Sequence, residues 1–240
     1  MEIVFGIFVV ITAYFVKGFS GFGPALILVP FFTLLYDPSS ALLVAAFFDF
    51  FAGCYLFFSV RKEIRWSFVL SVFIALAAGT FLGTMLLGQI PVENLKKVIG
   101  VVIFVFALVI LFQKNGNPAR KDGYLRYLKY PAGFLSGFLG GLVSMSGPPI
   151  VIYMKMMYQK SFFRTQLIAL FLLGTSWRSI LFIYHGIPLS IPIVSLGLFF
   201  VMMFLGLWLG RRSHLNVNEQ VFNKIVAVIL FIPALNLLLS

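Results

Sequence analysis

Long apolar stretches separated by short polar loops run along the whole chain. A helix that crosses a membrane needs about 20 apolar residues to span about 30 Å of hydrocarbon, and six segments meet this requirement. They are residues 41–60, 67–87, 95–112, 165–184, 189–210 and 221–239. The pattern therefore predicts an all-α integral membrane protein with six full crossings.

Two further apolar regions are interrupted in the middle. Their pieces are 2–16 and 24–36, separated by GFSGFGP, and 131–143 and 148–159, separated by SMSGP. A helix of about 14 residues reaches only about 21 Å, so we expect two re-entrant hairpins of half-helices, at 2–36 and 131–159. Two other interpretations stay open, in which each hairpin is a pair of thin crossings or one tilted crossing.

The two interrupted regions occupy corresponding places in an internal repeat. Aligning Gly23-Pro24 with Gly147-Pro148 brings the later apolar segments into register. We therefore expect a first repeat over residues 1–115, a basic linker over 116–129 and a second repeat over 130–240. Each repeat then contains one hairpin and three crossings.

Composition agrees with a membrane location. Hydrophobic residues make up 61% of the chain and charged residues 10%, whereas soluble domains have about 45–50% and about 25%. A net charge of +11 would suggest a nucleic-acid partner in a soluble protein, but here the charges lie in loops and we expect none. The single cysteine, Cys54, excludes an internal disulfide and a multi-cysteine metal site.

The distribution of basic residues predicts the orientation. Loops that carry them face the cytoplasm, and 14 of the 18 lysines and arginines fall in four loops. They are Arg61, Lys62 and Arg65; Lys114, Arg120, Lys121, Arg126 and Lys129; Lys155, Lys160 and Arg164; and Arg211, Arg212 and Lys224. With three crossings per half, the second repeat is inverted relative to the first, which is the topology of many secondary transporters.

The hairpin tips are the first candidate binding site. Each second half-helix begins at a Gly-Pro step, and a helix N-terminus at membrane depth favours an anion through its dipole and its N–H groups. Glycines allow close approach and serines add hydroxyl donors. The candidate residues are Ser20, Gly21, Gly23 and Pro24 in the first tip, and Ser144, Ser146, Gly147 and Pro148 in the second.

Charged residues inside apolar segments are the second candidate. Arg178 lies near the centre of its predicted span, where an arginine costs about 2.5–3.5 kcal/mol and needs a partner. Lys17 precedes the first tip, and Asp49 is the carboxylate that lies well inside a span. Either Arg178 and Asp49 form a structural ion pair, or Arg178 and Lys17 bind an anionic substrate while Asp49 pairs with one of them or carries a coupling proton.

Hydroxyls beside Arg178 extend this site. Thr175 and Ser179 have a spacing that places donors near the guanidinium, although such residues in membrane helices often bond to their own helix. No nucleophile elbow, phosphate-binding loop, paired carboxylates or His/Cys cluster is present in the sequence. We therefore expect neither an enzyme, nor a resident metal, nor a cofactor.

Two glycine-rich openings resemble those of a known family. GFSGFGPALILVP (18–30) and GFLGGLVSMSGPPIVIY (137–153), together with the chain length and the two halves, resemble the TauE/SafE-type sulfite exporters, also called toluene sulfonate uptake permeases. The resemblance implies movement of sulfite, sulfoacetate or other organosulfonates across the bacterial cytoplasmic membrane. Phe19 and Phe22 in the first opening could narrow the pocket.

The sequence thus predicts a multi-pass secondary transporter of a small sulfur-containing anion. A passive anion channel of the same fold and a non-transporting scaffold subunit stay open as alternatives. Membrane lipids are the other expected partner. The GxxxG pairs Gly79/Gly83 and Gly206/Gly210 predict close helix packing, either inside the fold or at a homodimer contact.

Overall fold

Ten α-helices and no strand occur in residues 2–21, 23–112, 123–213 and 219–239, which are the residues that the computed structural model describes. The helices are α1 (Glu2–Ser20), α2 (Pro24–Leu35), α3 (Pro38–Val60), α4 (Trp66–Leu87), α5 (Val92–Phe112), α6 (Lys129–Val143), α7 (Gly147–Met157), α8 (Lys160–Tyr184), α9 (Ile193–Arg212) and α10 (Glu219–Leu239). The chain is an all-α integral membrane protein, as the sequence predicts.

Six helices are long and apolar enough to cross a membrane: α1, α3, α4, α5, α8 and α9. The last five of these match the predicted spans 41–60, 67–87, 95–112, 165–184 and 189–210, except that α9 begins at Ile193, four residues after the start of the last of them. The predicted span 221–239 lies in α10, where the apolar part with described side chains is Ala227–Leu239, so its crossing stays a prediction. Part of the predicted linker, 116–122, falls outside the described residues, and the rest forms a 3-10 turn at Gly123–Leu128 and the start of α6.

The first arm of the first hairpin is longer than the sequence pattern indicates. The apolar piece ends at residue 16 because Lys17 follows it, yet α1 continues to Ser20 and has 19 residues. Lys17 is buried and paired with a carboxylate, so its charge does not end the helix. The other arms, α2, α6 and α7, have 12, 15 and 11 residues and are short, as expected.

Helix packing follows the same scheme in both halves. Helices α1 to α5 correspond in order to helices α6 to α10. Helix α1 packs on α9 and α6 packs on α4, while α3 packs on α8 and α5 packs on α10. When each helix is replaced by the one that corresponds to it, the same four pairs result. This is the contact pattern that a two-fold relation between two halves produces.

Four glycines make the same close contact in both halves. A Cβ atom at any of them would overlap a main-chain carbonyl oxygen of the partner helix. The pairs are Gly79 with Phe134, Gly83 with Phe138, Gly206 with Ile11, and Gly210 with Phe15. Small residues let membrane helices approach until their backbones touch, so both GxxxG pairs serve packing inside the fold.

The surface is apolar, and the apolar core contains a few buried charged residues. Large apolar side chains such as Phe8, Ile74 and Ile232 are exposed on the helix surfaces, where lipid would solvate them. Lys17, Asp49 and Arg178 are buried instead. The interior therefore contains the charges whose partners decide what the protein can bind.

The glycine contacts lead to a matched prediction within α9. Gly206→Ala places a methyl group against the Ile11 carbonyl, and we expect it to lower the free energy of unfolding by about 1–3 kcal/mol. Gly197→Ala adds a methyl group with no atom within 4 Å, so we expect no loss. Thermal unfolding of the detergent-solubilised variants measures both, and equal midpoints would show that the close approach contributes nothing.

Candidate functional site

Two cations and one carboxylate from three helices converge in the interior. Lys17 of α1 places its Nζ 2.9 Å from Asp49 Oδ1 of α3 and donates a second hydrogen bond to the Asp49 main-chain oxygen at 3.1 Å. Arg178 Nη2 of α8 lies 3.6 Å from Asp49 Oδ2. The exposed fractions are 5% for Lys17, 7% for Asp49 and 2% for Arg178. The structure thus brings together the three intramembrane charges that the sequence singles out.

Tyr14 is a fourth member of this cluster that sequence reasoning missed. It is fully buried, and its hydroxyl donates to Asp49 Oδ1 at 3.4 Å. Residues three apart lie on the same face of a helix, so the spacing from Tyr14 to Lys17 was the available signal. Asp49 Oδ1 therefore accepts hydrogen bonds from two side chains of α1.

Arg178 donates hydrogen bonds from one end of its guanidinium and none from the Nε–Nη2 edge, where Nη2 has only the ion pair with Asp49. Its Nη1 donates to the Ser144 main-chain oxygen at 3.1 Å and to Ser146 Oγ at 3.4 Å. Its Nε and Nη2 are buried without a hydrogen-bond partner. These two atoms lie on the same edge of the planar fork, which matches two oxygens of one anion.

The cluster has an excess of one positive charge, since two cations face a single carboxylate. Removing charged groups from water is expensive unless charge and hydrogen bonds are both balanced. The unused donors and the excess charge are on the same side chain, Arg178. The arrangement is therefore suited to binding a small anion at the free edge of the guanidinium.

The second tip positions this arginine through Ser144. Ser144 has φ 59°, a left-handed conformation that side chains other than glycine rarely adopt. Its hydroxyl donates to the Leu42 carbonyl of α3 at 3.0 Å while its own carbonyl accepts from Arg178. A Cβ atom at Gly140 would overlap Ser146 Oγ, so this glycine leaves room for Ser146 beside Arg178. Ser144 and Ser146 thus contact Arg178, and their role in binding stays a prediction.

The start of α7 offers the site its helix dipole and the Ser146 hydroxyl, and it does not offer a row of free N–H groups. Gly147 begins the helix, but Pro148 and Pro149 have no N–H, and the Ile150 N–H donates to Ser136 Oγ at 2.9 Å. Ser136 had no distinguishing signal in the sequence. A direct role of Gly147 and Pro148 in binding stays a prediction.

The first tip lies away from the second along α8. Gly21 and Gly23 both have φ 88°, and the Gly21 backbone faces the side chains of Arg164 and Ile168. Arg178, which contacts the second tip, is ten residues beyond Ile168 on α8, a rise of about 15 Å. The Gly21 backbone therefore lies away from Arg178, and Lys17 is what α1 brings to the cluster.

The remaining candidates differ in their bonding. Thr175 Oγ1 donates to the Leu172 carbonyl at 3.1 Å, and Ser20 Oγ donates to the Val16 carbonyl at 2.8 Å, so both bond to their own helix. Ser179 Oγ is buried without a hydrogen-bond partner, which leaves it available to a ligand. The binding roles of Ser20, Gly21, Gly23, Pro24 and Thr175 stay predictions.

Ser144 gives a prediction with a built-in comparison. Ser144→Ala removes the hydroxyl bond to Leu42 and keeps a Cβ in the left-handed conformation, so we expect a loss of about 1–2 kcal/mol in the free energy of unfolding. Ser144→Gly removes the same bond but adopts this conformation freely, and we expect it to be more stable than the alanine variant by about 1 kcal/mol. Chemical denaturation in detergent measures the difference, and an alanine variant as stable as the glycine variant would contradict the assigned strain.

Comparison with known proteins places the chain in a family. The model of the family described as sulfite exporter TauE/SafE matches residues 6–237, which is nearly the whole chain. No curated protein and no solved structure matches the chain. The family match agrees with a helical membrane protein. The chain belongs to the TauE/SafE family of sulfite exporters, a family of membrane transporters.

Proposed function

We propose that this protein is a secondary transporter that moves a small sulfur-containing anion, sulfite or an organosulfonate, across the bacterial cytoplasmic membrane by alternating access. The observation that carries the proposal is the free guanidinium edge of Arg178, buried in a cluster with one excess positive charge. Membership in the TauE/SafE family supports the substrate class.

The anion binds along the free edge of Arg178. Nε and Nη2 donate to two of its oxygens in the bidentate arrangement that guanidinium groups make with planar or pyramidal oxyanions. The hydroxyl of Ser179, which is also buried without a partner, is the next available donor. When the anion binds, Arg178 loses only its 3.6 Å contact with Asp49. Lys17 and Tyr14 stay hydrogen-bonded to that carboxylate.

The site lies between the two halves of the chain. Lys17 and Asp49 come from the first half, whereas Arg178, Ser144 and Ser146 come from the second. A rocking motion of the halves would expose this interface to one side of the membrane at a time. The exchangeable helix pairings and the four basic loops support two inverted repeats. A homodimer stays a prediction.

Counterflow in proteoliposomes tests the proposal. The vesicles are loaded in turn with sulfite, sulfoacetate, taurine or sulfate, and uptake of the labelled anion is followed for the wild type and for Arg178→Gln. Glutamine keeps most of the volume of the arginine but removes its charge and its fork. We expect internal sulfite or sulfonate to accelerate uptake at least about tenfold in the wild type, and the variant to lose this uptake, because one charged hydrogen-bonding partner is worth 2 kcal/mol or more (about 30-fold).

A matched control separates the site from a general charge effect. Arg212→Gln makes the same change in an exposed arginine at the end of α9 and is expected to transport at the wild-type rate. Uptake without acceleration by any internal anion would indicate a passive channel. Normal folding without any flux would indicate a scaffold subunit. Wild-type affinity and rate in Arg178→Gln would show that the site is elsewhere.

A further inference from the structure

The charge of the proposed site is set by three residues. Among the residues that the structure describes, the charged side chains classed as buried are Lys17, Asp49 and Arg178. Their sum is one positive charge. Tyr14, the other polar group on Asp49, is neutral and donates its hydrogen to the carboxylate.

Asp49 is fixed in place independently of any ligand at Arg178. Its Oδ1 accepts from Lys17 Nζ at 2.9 Å and from the Tyr14 hydroxyl at 3.4 Å, and Lys17 also bonds to its main-chain oxygen. Its Oδ2 faces Arg178 Nη2 at 3.6 Å, beyond hydrogen-bond range. An anion at the free guanidinium edge would therefore lie next to a carboxylate that stays where it is.

This arrangement discriminates between anions by their charge. A monoanion on Arg178 neutralises the cluster, whereas a dianion leaves one uncompensated negative charge in a buried site next to Asp49. Uncompensated charge is strongly unfavourable in such surroundings, and like charges placed side by side add repulsion.

We propose that Asp49 is a specificity-determining residue that limits the substrate to anions with a single negative charge, such as hydrogensulfite or a monosulfonate, and discriminates against dianions such as sulfoacetate. This inference rests on the proposed function and narrows its substrate class. It assigns Asp49 a second role in addition to its pairing with Lys17, because the carboxylate sets the net charge that the ligand must neutralise.

A pair of probes of nearly equal size and shape isolates the effect of charge. Sulfoacetate is a dianion at neutral pH, and sulfoacetamide is the corresponding monoanion with an amide in place of the carboxylate. Binding of each to the detergent-solubilised protein is measured by titration calorimetry. We expect the wild type to bind the amide at least about tenfold more tightly than the dianion. Equal affinities, or a preference for the dianion, overturn the proposal without any variant.

Three variants then change the charge of the site. Asp49→Asn raises it to two positive charges and should shift the affinity ratio towards the dianion by at least about tenfold. Lys17→Met lowers it to zero and should weaken binding of both probes. The double variant Lys17→Met/Asp49→Asn returns to one positive charge and should recover the wild-type preference for the amide.

The double variant distinguishes charge from a particular contact, because it lacks both side chains of the Lys17–Asp49 pair. If it binds the amide without preference over the dianion, charge balance is not the determinant and the proposal fails. An unchanged ratio in a folded Asp49→Asn protein overturns it equally. If either result occurs while Arg178→Gln still abolishes binding, the inference about Asp49 fails and the proposed site stands. Failure of Arg178→Gln to affect binding contradicts both.

Discussion

The buried ionic cluster of Lys17, Asp49 and Arg178 is the interaction on which the rest of the structure depends. Charges inside a membrane protein are tolerated only with partners, and this cluster draws its members from α1, α3 and α8. It therefore links the two halves of the chain at the point where the proposed transport pathway must pass. The excess positive charge of the cluster is unfavourable without a ligand, and on it rests the proposal that the cluster binds an anion.

Glycines let α1, which carries Lys17, and α6, whose end contacts Arg178, pack closely on neighbouring helices. In α4 and α9, glycines lie directly against carbonyls of α6 and α1, so the backbones of the partner helices touch. Helix α1 then carries Tyr14 and Lys17 towards Asp49, and the end of α6 carries Ser144 towards Arg178. Both halves use the same contact, so α1 with α9 and α4 with α6 are equivalent helix pairs.

The fold was largely predictable because each membrane helix is encoded by one continuous apolar segment of the sequence. Apolar runs such as 67–87 and 95–112 have the length that the bilayer demands, and the structure contains them in α4 and α5. The charged members of the site were predictable for a related reason: an Arg178 or Asp49 inside such a run is unfavourable without a function or a partner. The end of α1 was misjudged because a lysine ends an apolar run, whereas its pairing with Asp49 is a tertiary fact.

Other parts of the site depend on tertiary contacts that no local pattern records. Tyr14 is one aromatic residue in a chain with 30 phenylalanines, and only its hydrogen bond to Asp49 distinguishes it. The separation of Gly21 from Arg178 is a tertiary fact, because the Gly21 backbone lies beside Arg164 and Ile168 of α8. The left-handed Ser144 is equally invisible in the sequence, since its conformation is held by bonds to Leu42 and Arg178.

A structure determined with sulfite bound tests the central claim most directly. The account predicts an anion whose oxygens lie within about 2.7–3.2 Å of Arg178 Nε and Nη2, with Asp49 still bonded to Lys17. An anion bound elsewhere, with the free edge of Arg178 turned onto Asp49, would contradict it.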